Sequence, residues 1–175
     1  MKVNKEDFPH LFQERVWPFG PTCAVFELGA EPPAELIGQV SMAPYIGDKW
    51  LIIRYQDGCW FPGGHLEPGE TYMQTIQREM REEAGARLVS FVLFGAWRCR
   101  SLASRPHRPY VPHPVSHWVM GYGEVELVEK PENGVLEAVA LPLEEACQRL
   151  WHTADIGPQL VEIYRLAAAL RASAD

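Results

Sequence analysis

The stretch "PGGHLEPGETYMQTIQREMREEAGA", Pro62 to Ala86, decides the fold because it contains a helix whose two ends are marked by local signals. Thr71 and Gln74, three positions apart, form the pattern of a capping box that starts a helix, and Gly85 is placed to end it. These signals predict a helix over residues 72–84. At about 100° per residue, one face of this helix is apolar and is expected to pack on a sheet: Met73, Ile76, Met80 and Ala84.

Three glutamates, Glu79, Glu82 and Glu83, form an acidic stripe beside this apolar face. Glu79 and Glu83 are a like-charge pair at i,i+4, which costs roughly 0.2–0.5 kcal/mol, and all three lie at the negative end of the helix dipole. A bound divalent cation would compensate this charge. For the helix taken alone, a solvated face neutralised by Arg78 and Arg81 explains it as well.

The segment before the helix favours the metal site. Its three glycines and two prolines predict a tight, irregular turn whose backbone can approach a ligand closely: Pro62, Gly63, Gly64, Pro68 and Gly69. A backbone carbonyl together with carboxylates supplies the oxygen ligands that a hard cation requires. The pattern therefore indicates Mg²⁺ holding substrate phosphates, with Mn²⁺ as its substitute.

At this point the sequence resembles the Nudix hydrolase signature, G-x5-E-x7-R-E-U-x-E-E-x-G-U, where U is a bulky aliphatic residue. All seven fixed positions are matched, by Gly64, Glu70, Arg78, Glu79, Glu82, Glu83 and Gly85. Met80 fits its aliphatic position, whereas Ala86 is smaller than the pattern expects, which we interpret as a packing change. Similar surroundings extend the resemblance from about Trp50 to Leu150.

The resemblance implies an enzyme that hydrolyses a nucleoside diphosphate linked to another group. Carried over by position, Glu79, Glu82 and Glu83 become metal ligands and Gly63 lends its carbonyl oxygen. Arg78 would orient a catalytic glutamate, and Glu70 would steady the loop.

The general base that activates the attacking water is not fixed by the resemblance. Glu79 is the first choice, and Glu137 in "VLEAVALP" is the best candidate outside the signature. Alternatively, Glu137 is an ordinary surface glutamate at the start of a strand. Glu124 and Glu126, which alternate on a predicted strand, are weaker candidates.

The whole chain of 175 residues, 47% of them hydrophobic, is interpreted as one domain of the α/β (α+β) class. The resemblance implies an α/β/α sandwich with a mixed β-sheet between helices. Strands are predicted at Thr22 to Leu28, near 36–43, 50–55, 88–97, 115–128 and 135–141, with a turn at Asn133 and Gly134. We interpret residues 1–20 as an irregular N-terminal extension, 63–86 as the signature loop and helix, 101–114 as a proline-rich loop, and 157–172 as a C-terminal helix.

Composition and charge exclude several classes of partner. A net charge of −7 argues against binding of double-stranded nucleic acid. No apolar run approaches the roughly 20 residues of a membrane span and no signal segment is evident, so a soluble cytoplasmic protein is expected. Four widely separated cysteines are interpreted as reduced thiols.

The charge is also unevenly placed. Residues 84–123 contain five arginines and no Asp or Glu, so this stretch carries +5 and the remainder −12. The asymmetry suits an anionic ligand held between basic side chains and an acidic metal patch, although strands and proline-rich loops that simply lack acids explain it equally.

Substrate contacts are predicted more loosely. A base could stack on Trp50, Trp97 or Trp118, and phosphates could meet Arg54, Arg98 or Arg100, although core packing and surface charge are the ordinary roles of such residues. The proline-rich loop is a candidate lid. His113 and His117 are separated by Pro114, which disfavours a helical metal pair, but they could touch phosphate.

Two alternatives to the hydrolase remain. One is a non-catalytic nucleotide-sensing domain with the same fold. The other, diphosphate isomerisation, would need a reactive cysteine in the pocket, such as Cys59 or Cys99. A homodimer through the apolar C-terminal helix is possible, and closure of the monomer's own core explains that helix equally well.

Overall fold

The structure, a computed structural model, describes residues 3–17, 20–132, 134–153 and 155–174. In these ranges the chain forms ten strands and three α-helices. The strands are β1 Arg15–Trp17, β2 Thr22–Leu28, β3 Ile37–Ile46, β4 Lys49–Arg54, β5 Cys59–Trp60, β6 Gly63–His65, β7 Ala86–Leu88, β8 Val92–Ser101, β9 Val115–Leu127 and β10 Glu137–Leu141. The helices are α1 Tyr72–Ala84, α2 Leu143–Trp151 and α3 Gly157–Arg171.

The sheet is mixed, as predicted. Its main path runs β1-β2-β8-β9-β3-β4-β10, and β5, β6 and β7 pair with β4, β3 and β9 respectively. The β3–β9 pair is parallel, and the other pairs are antiparallel. Strands β3 and β9 are central in this order. The strands that pair with them on either side therefore bring together residues that are distant in the sequence.

Strand β4 shows why the sheet is covered on both faces. Successive side chains of a strand point to opposite faces. Ile52 packs in the core formed with α2 and α3, whereas Leu51 and Ile53 pack in the core formed with α1. The hydroxyl of Tyr164 on α3 also donates to the carbonyl of Leu51, at 2.7 Å. The expected α/β/α sandwich is therefore confirmed.

Helix α1 begins and ends where the sequence predicts. The Thr71 side chain accepts from Gln74 N–H, the Gln74 side chain accepts from Thr71 N–H, and Gly85 has the left-handed φ of 59°. Glycine is required at residue 85 because an added Cβ would lie 2.2 Å from the carbonyl oxygen of Glu129. Both ends of α1 are thus fixed by contacts that the sequence encodes locally.

Three predicted segments differ from the structure. The N-terminal extension is not wholly irregular, because it contains β1, and Leu11 is 1% exposed. The glycine turn contains β6, which pairs with β3. The single strand predicted at 88–97 is divided into β7 and β8, because the chain crosses closely over Gly123 of β9, whose added Cβ would meet the carbonyl of Ser90. The turn predicted at Asn133 and Gly134 falls partly outside the described residues.

The N-terminal segment is held by one buried carboxylate of α3. Glu162, 7% exposed, accepts backbone N–H bonds from His10 at 2.9 Å and from Leu11 at 2.7 Å. Its other oxygen lies 2.6 Å from His10 Nδ1. These contacts explain how polar backbone beside Leu11 tolerates burial.

Two further properties concern the chain as a whole. All four cysteines are buried and free. Within the described ranges, no helix combines the length and the apolar character needed to cross a membrane.

Candidate active site

Glu83 lies in the last turn of α1 and faces the glycine segment before that helix. Its Oε1 accepts a 2.6 Å hydrogen bond from the Tyr55 hydroxyl, and its Oε2 accepts a 2.9 Å bond from Gly63 N–H. Burial raises the pKa of Glu83, and these two hydrogen bonds oppose the rise because they favour the charged form. The two hydrogen bonds therefore fix the orientation of the Glu83 carboxylate. They do not fully offset the effect of burial, since the pKa remains raised.

Glu79, one turn earlier, is 9% exposed and faces Gly64. Burial raises the pKa of Glu79, and the hydrogen bond from Arg78, 2.8 Å from Arg78 Nη1 to Glu79 Oε1, opposes the rise. A Cβ added to Gly64 would lie 2.1 Å from this same Oε1. Gly64 is thus the residue that lets the strand approach the carboxylate so closely.

Arg78 connects the acidic residues of the site. Its guanidinium grips Glu70 with two bonds, Nε to Oε1 at 2.9 Å and Nη2 to Oε2 at 3.0 Å. The same group contacts Glu79, reaches Glu82 at 3.4 Å, and donates to the His65 carbonyl at 3.3 Å. The Arg78 hydrogen bonds are the main reason that the pKa of Glu70 falls to about 2. The positioning roles of Arg78 and Glu70 stay predictions, which these contacts support.

Gly63 is equally constrained. Its φ is +150°, and an added Cβ would lie 2.1 Å from Ser41 Oγ and 2.3 Å from the Val40 carbonyl oxygen. No other residue type fits between β3 and the end of α1. The strand β6 therefore lies directly against both Glu83 and Glu79, through Gly63 and Gly64 respectively.

The carboxylates at the end of α1 are of the chemical type that binds a hard cation. Glu79, Glu82 and Glu83 provide carboxylate oxygens along one edge of a helix, and Mg²⁺ and Mn²⁺ prefer such ligands. Each carboxylate also contacts a donor within the protein, and among the residues that the structure describes no three His, Cys, Asp or Glu side chains form a ready metal cluster. The metal-ligand roles stay predictions on the chemistry of the donors.

A cavity of about 510 Å³ is lined by Glu83 and by residues of several strands of the sheet. One end is lined by Tyr55, Gly63, His65 and Glu83, next to β3, β4 and β6. The opposite end is lined by residues of β1, β2 and β8: Trp17, Thr22, Cys99 and Ser101. The volume lies in the range of small-molecule sites.

The middle of the cavity lies where β3 and β9 meet. Trp118 Nε1 donates to Ser41 Oγ at 3.0 Å, and the Trp118 ring contacts Phe61 and Trp17 edge to face. Neighbouring His117 also lines the cavity, and its buried Nδ1 has no hydrogen-bond partner. A register irregularity in β3 between Ile37 and Gln39 occurs at this point, as bulges often do beside functional sites.

Among the tryptophans and arginines predicted to contact substrate, Trp118 lines the cavity and the other five lie elsewhere. Arg54 pairs with Glu137 at 3.2 Å, Arg98 pairs with Glu27 at 2.8 Å, and Arg100 is exposed. None of the three lines the cavity, nor do Trp50 and Trp97, which are buried in the core. On β8, Cys99 and Ser101 line the cavity, so the alternating residues Arg98 and Arg100 point to the other face.

Other predicted residues are placed as follows. Glu137 begins β10 opposite Arg54, next to the strand end that leads to Tyr55. Glu124 is exposed on β9, and Glu126 pairs with Arg87 on the surface. His113 and His117 both line the cavity, but His113 Nε2 is bonded to the Ala103 carbonyl oxygen at 3.0 Å.

The two cysteines considered for isomerisation differ in position. Cys59 is buried, and Cys99 lines the cavity. Burial raises the pKa of Cys99 to about 12, which disfavours a reactive thiolate.

Sequence reasoning missed most residues of the cavity, among them Trp17, Ser41, Tyr55 and His65. Tyr55 directly follows β4, and His65 directly follows Gly64. Both lie close to the signature in sequence, and this closeness could have identified them. Trp17 and Ser41 reach the site through strand pairing, which no local pattern reveals.

Comparison with known proteins agrees with this geometry. A sequence model of the NUDIX domain family matches residues 39–162. The candidate 8-oxo-dGTP diphosphatase YtkD of Bacillus subtilis is 42% identical over 53 residues, 30% of this chain and 34% of that protein. The human 8-oxo-dGDP phosphatase NUDT18 is 34% identical over 31% of this chain and 21% of its own length. The matches thus span about a third and a fifth of these two proteins.

Among solved structures, the pyrophosphohydrolase BsRppH of Bacillus subtilis, crystallised as a point mutant, has a TM-score of 0.59 at 17% identity. The alignment covers 93% of each chain. A NUDIX hydrolase from Nitrosomonas europaea gives a TM-score of 0.55 at 22% identity, over 74% of this chain and 89% of that one. At these identities the likeness concerns the fold.

Proposed function

Because the chain belongs to the Nudix family, we propose that it hydrolyses a phosphoanhydride bond in a nucleoside diphosphate linked to another group, with Mg²⁺ or Mn²⁺ as cofactor. The observation that carries this proposal is a single cavity with Glu83 and Gly63 at one end and aromatic side chains along its course. A nucleotide likewise has two unlike parts, because its phosphates are charged and the faces of its base are flat and apolar.

The residues at the two ends of the cavity support a different position for each part of the substrate. Trp17 and Trp118 offer ring surface on which a base stacks, and Thr22 and Ser101 offer hydroxyl groups to its edge. The phosphates then lie at the end with Gly63, His65 and Glu83. In this proposal the scissile bond lies beside the acidic edge of α1.

The metal would be held by Glu79, Glu82 and Glu83 together with the carbonyl oxygen of Gly63. A bound divalent ion supplies charge neutralisation on the phosphates and lowers the pKa of a coordinated water. Gly63 N–H and Tyr55 fix the carboxylate of Glu83, and Arg78 fixes Glu79. The protein's contribution is therefore a prearranged set of oxygen ligands.

Glu79 is the proposed general base. Its burial raises its pKa, which improves a carboxylate as a proton acceptor from water near neutral pH. Glu137 is the second choice, because its pairing with Arg54 holds it at a half-exposed sheet edge. Arg78 is a positioning residue, since it acts through Glu79 and Glu70.

Oxidised guanine nucleotides are the first substrates to test, because the names of two relatives specify 8-oxo-dGTP and 8-oxo-dGDP. The experiment measures release of phosphate, diphosphate and mononucleotide from these two compounds, from dGTP and dGDP, from ADP-ribose and from diadenosine polyphosphates. Each is incubated with Mg²⁺ and with a chelator. We expect turnover that the chelator abolishes. Tight binding of nucleotide without any product would instead support the nucleotide-sensing alternative.

A further inference from the structure

The proline-rich loop, residues 102–114, folds back over the cavity as an ordered cover. Its neck is closed by the hydrogen bond from Ser101 N–H to the Pro114 carbonyl, at 2.8 Å. Its far side packs on β3, where a Cβ added to Gly38 would meet Val111 at 3.2 Å and Pro112 at 3.4 Å. The loop is thus fixed both at its neck and on the sheet.

The tip of the loop reaches the glutamate end of the cavity. His107 Nε2 lies 3.1 Å from His65 Nε2, and the two rings contact each other edge to face. His65 directly follows Gly64, which touches Glu79, and it lines the same cavity as Glu83. The histidine contact therefore places this part of the loop beside the proposed phosphate position.

Two arginines next to His107 carry charge that no acid of the described residues neutralises. Arg105 and Arg108 are exposed, and within the described ranges neither forms an ion pair with a carboxylate. Arg108 donates to the hydroxyl of Tyr110 at 2.9 Å, which leaves other guanidinium N–H groups available. Arg54, Arg78 and Arg98, by contrast, are each paired with glutamate.

Geometry places Arg108 beside the glutamate end of the cavity. It directly follows His107, whose ring contacts His65. The Arg108 side chain is exposed and lies outside the lining of the cavity, so it can reach only the part of a ligand that extends past His65 and His107. A guanidinium in that place can bind a phosphate oxygen pair through its planar fork.

We propose that Arg108 binds the phosphate furthest from the nucleoside, so that the protein binds a nucleoside triphosphate more tightly than the corresponding diphosphate. This inference rests on the proposed function, because it uses the assignment of phosphates to the glutamate end. The loop then supplies an anion-binding group near the carboxylates of α1, which are proposed to hold the cation. Arg108 therefore discriminates between nucleotides by the number of their phosphates and not by their base.

The test compares binding of GMP with binding of GDP and GTP analogues whose bridging oxygens are replaced by methylene groups, by titration calorimetry with Mg²⁺. For the wild type we expect the triphosphate to bind about tenfold more tightly than the diphosphate, the size of one charge-assisted contact. Arg108→Gln should reduce this ratio to about twofold and leave GMP binding unchanged. Arg108→Lys, which keeps the charge, should retain an intermediate ratio.

Arg149→Gln is the matched control, because Arg149 pairs with Glu145 on α2 and does not line the cavity. It should keep the wild-type ratio. A tenfold ratio that survives in Arg108→Gln, an equal loss of all three ligands, or a wild type without triphosphate preference would each overturn the inference. Hydrolysis of GTP is assayed in parallel. A protein that shows the binding pattern without hydrolysis would refute the proposed function and leave the role of Arg108 standing.

Discussion

Tyr55 and Glu83, 28 positions apart in sequence, are joined by a 2.6 Å hydrogen bond at the end of the cavity. The bond runs from the end of β4 to the last turn of α1 and holds one oxygen of the carboxylate, while Gly63 N–H holds the other at 2.9 Å. The proposed cation ligand Glu83 is thereby oriented by the side chain of Tyr55 and by the backbone of Gly63, which directly precedes the signature.

Tyr55→Phe should shift the pH dependence of activity. The tyrosine hydroxyl stabilises the charged form of Glu83, so its removal raises the pKa of Glu83 further above the ordinary value for glutamate. Activity that needs the carboxylate is lost as pH falls through that pKa, and the acidic limb should therefore move to higher pH. We expect kcat/KM near neutral pH to fall about tenfold.

The measurement is the pH profile of kcat/KM at one Mg²⁺ concentration. Tyr45→Phe is the control, because Tyr45 contacts Trp50 and Arg171 through its ring, which phenylalanine keeps, and it does not line the cavity. A profile of Tyr55→Phe that coincides with the wild type, or whose acidic limb moves to lower pH, would refute the role of this bond.

Arg78→Lys should be far from conservative. Lysine cannot reproduce the two parallel bonds to Glu70 and still reach Glu79, so both carboxylates lose their orientation. We expect kcat to fall by more than about tenfold, and the free energy of unfolding to fall by about 1–3 kcal/mol because partly buried Glu70 loses its partner. Steady-state kinetics and urea unfolding measure the two effects. Arg81→Lys, at an exposed pair with Glu129, should change stability by less than about 1 kcal/mol.

Gly64→Ala should reduce activity without unfolding the protein. The added Cβ would meet Oε1 of Glu79 at 2.1 Å, and the end of a side chain gives way more readily than backbone. Glu79 is then displaced, and kcat should fall by about tenfold or more. Gly47→Ala is the control: its φ of +58° strains alanine by about 1 kcal/mol, with no atom within 4 Å and no effect on Glu79. Equal kcat values for Gly64→Ala and the wild type would contradict this account.

Glu162→Gln tests whether the N-terminal segment belongs to the same folding unit. The variant weakens the charge-assisted bonds to His10 and Leu11, and we expect a loss of about 1–2 kcal/mol in the free energy of unfolding. Glu144→Gln, which removes an exposed pair with Arg165, should cost less than about 1 kcal/mol. One cooperative transition in both variants is expected if residues 1–175 form a single domain. A separate early transition would contradict that.

The sequence predicted α1 to the residue because its signals are local. The capping box, the left-handed glycine and the apolar face are all determined by neighbours within one or two turns. The acidic stripe follows from the same helical spacing. Strand β2 was predicted with the same bounds as well, since its polar flanks and apolar run are equally local.

The cavity could be predicted only in part because it depends on long-range pairing. Strand β6 forms on β3, and β1 forms on β2, so short segments become strands through partners that local propensity does not identify. Arg98 and Arg100 were chosen for their charge, although their alternation with Trp97 and Cys99 already indicated opposite faces of the sheet. Arg108, on the proline-rich loop, was not singled out because a loop's return path cannot be deduced from its composition.

We expect hydrolysis to depend on a divalent ion bound by the carboxylates of α1. The most direct measurement is the Mg²⁺ dependence of product release from 8-oxo-dGTP by the wild type, by Glu83→Gln and by the surface control Glu145→Gln. The account predicts saturable, Mg²⁺-dependent turnover for the wild type and the control, and a loss of at least about a hundredfold for Glu83→Gln with its fold intact. Turnover by Glu83→Gln at the wild-type rate and with the wild-type Mg²⁺ dependence would contradict it.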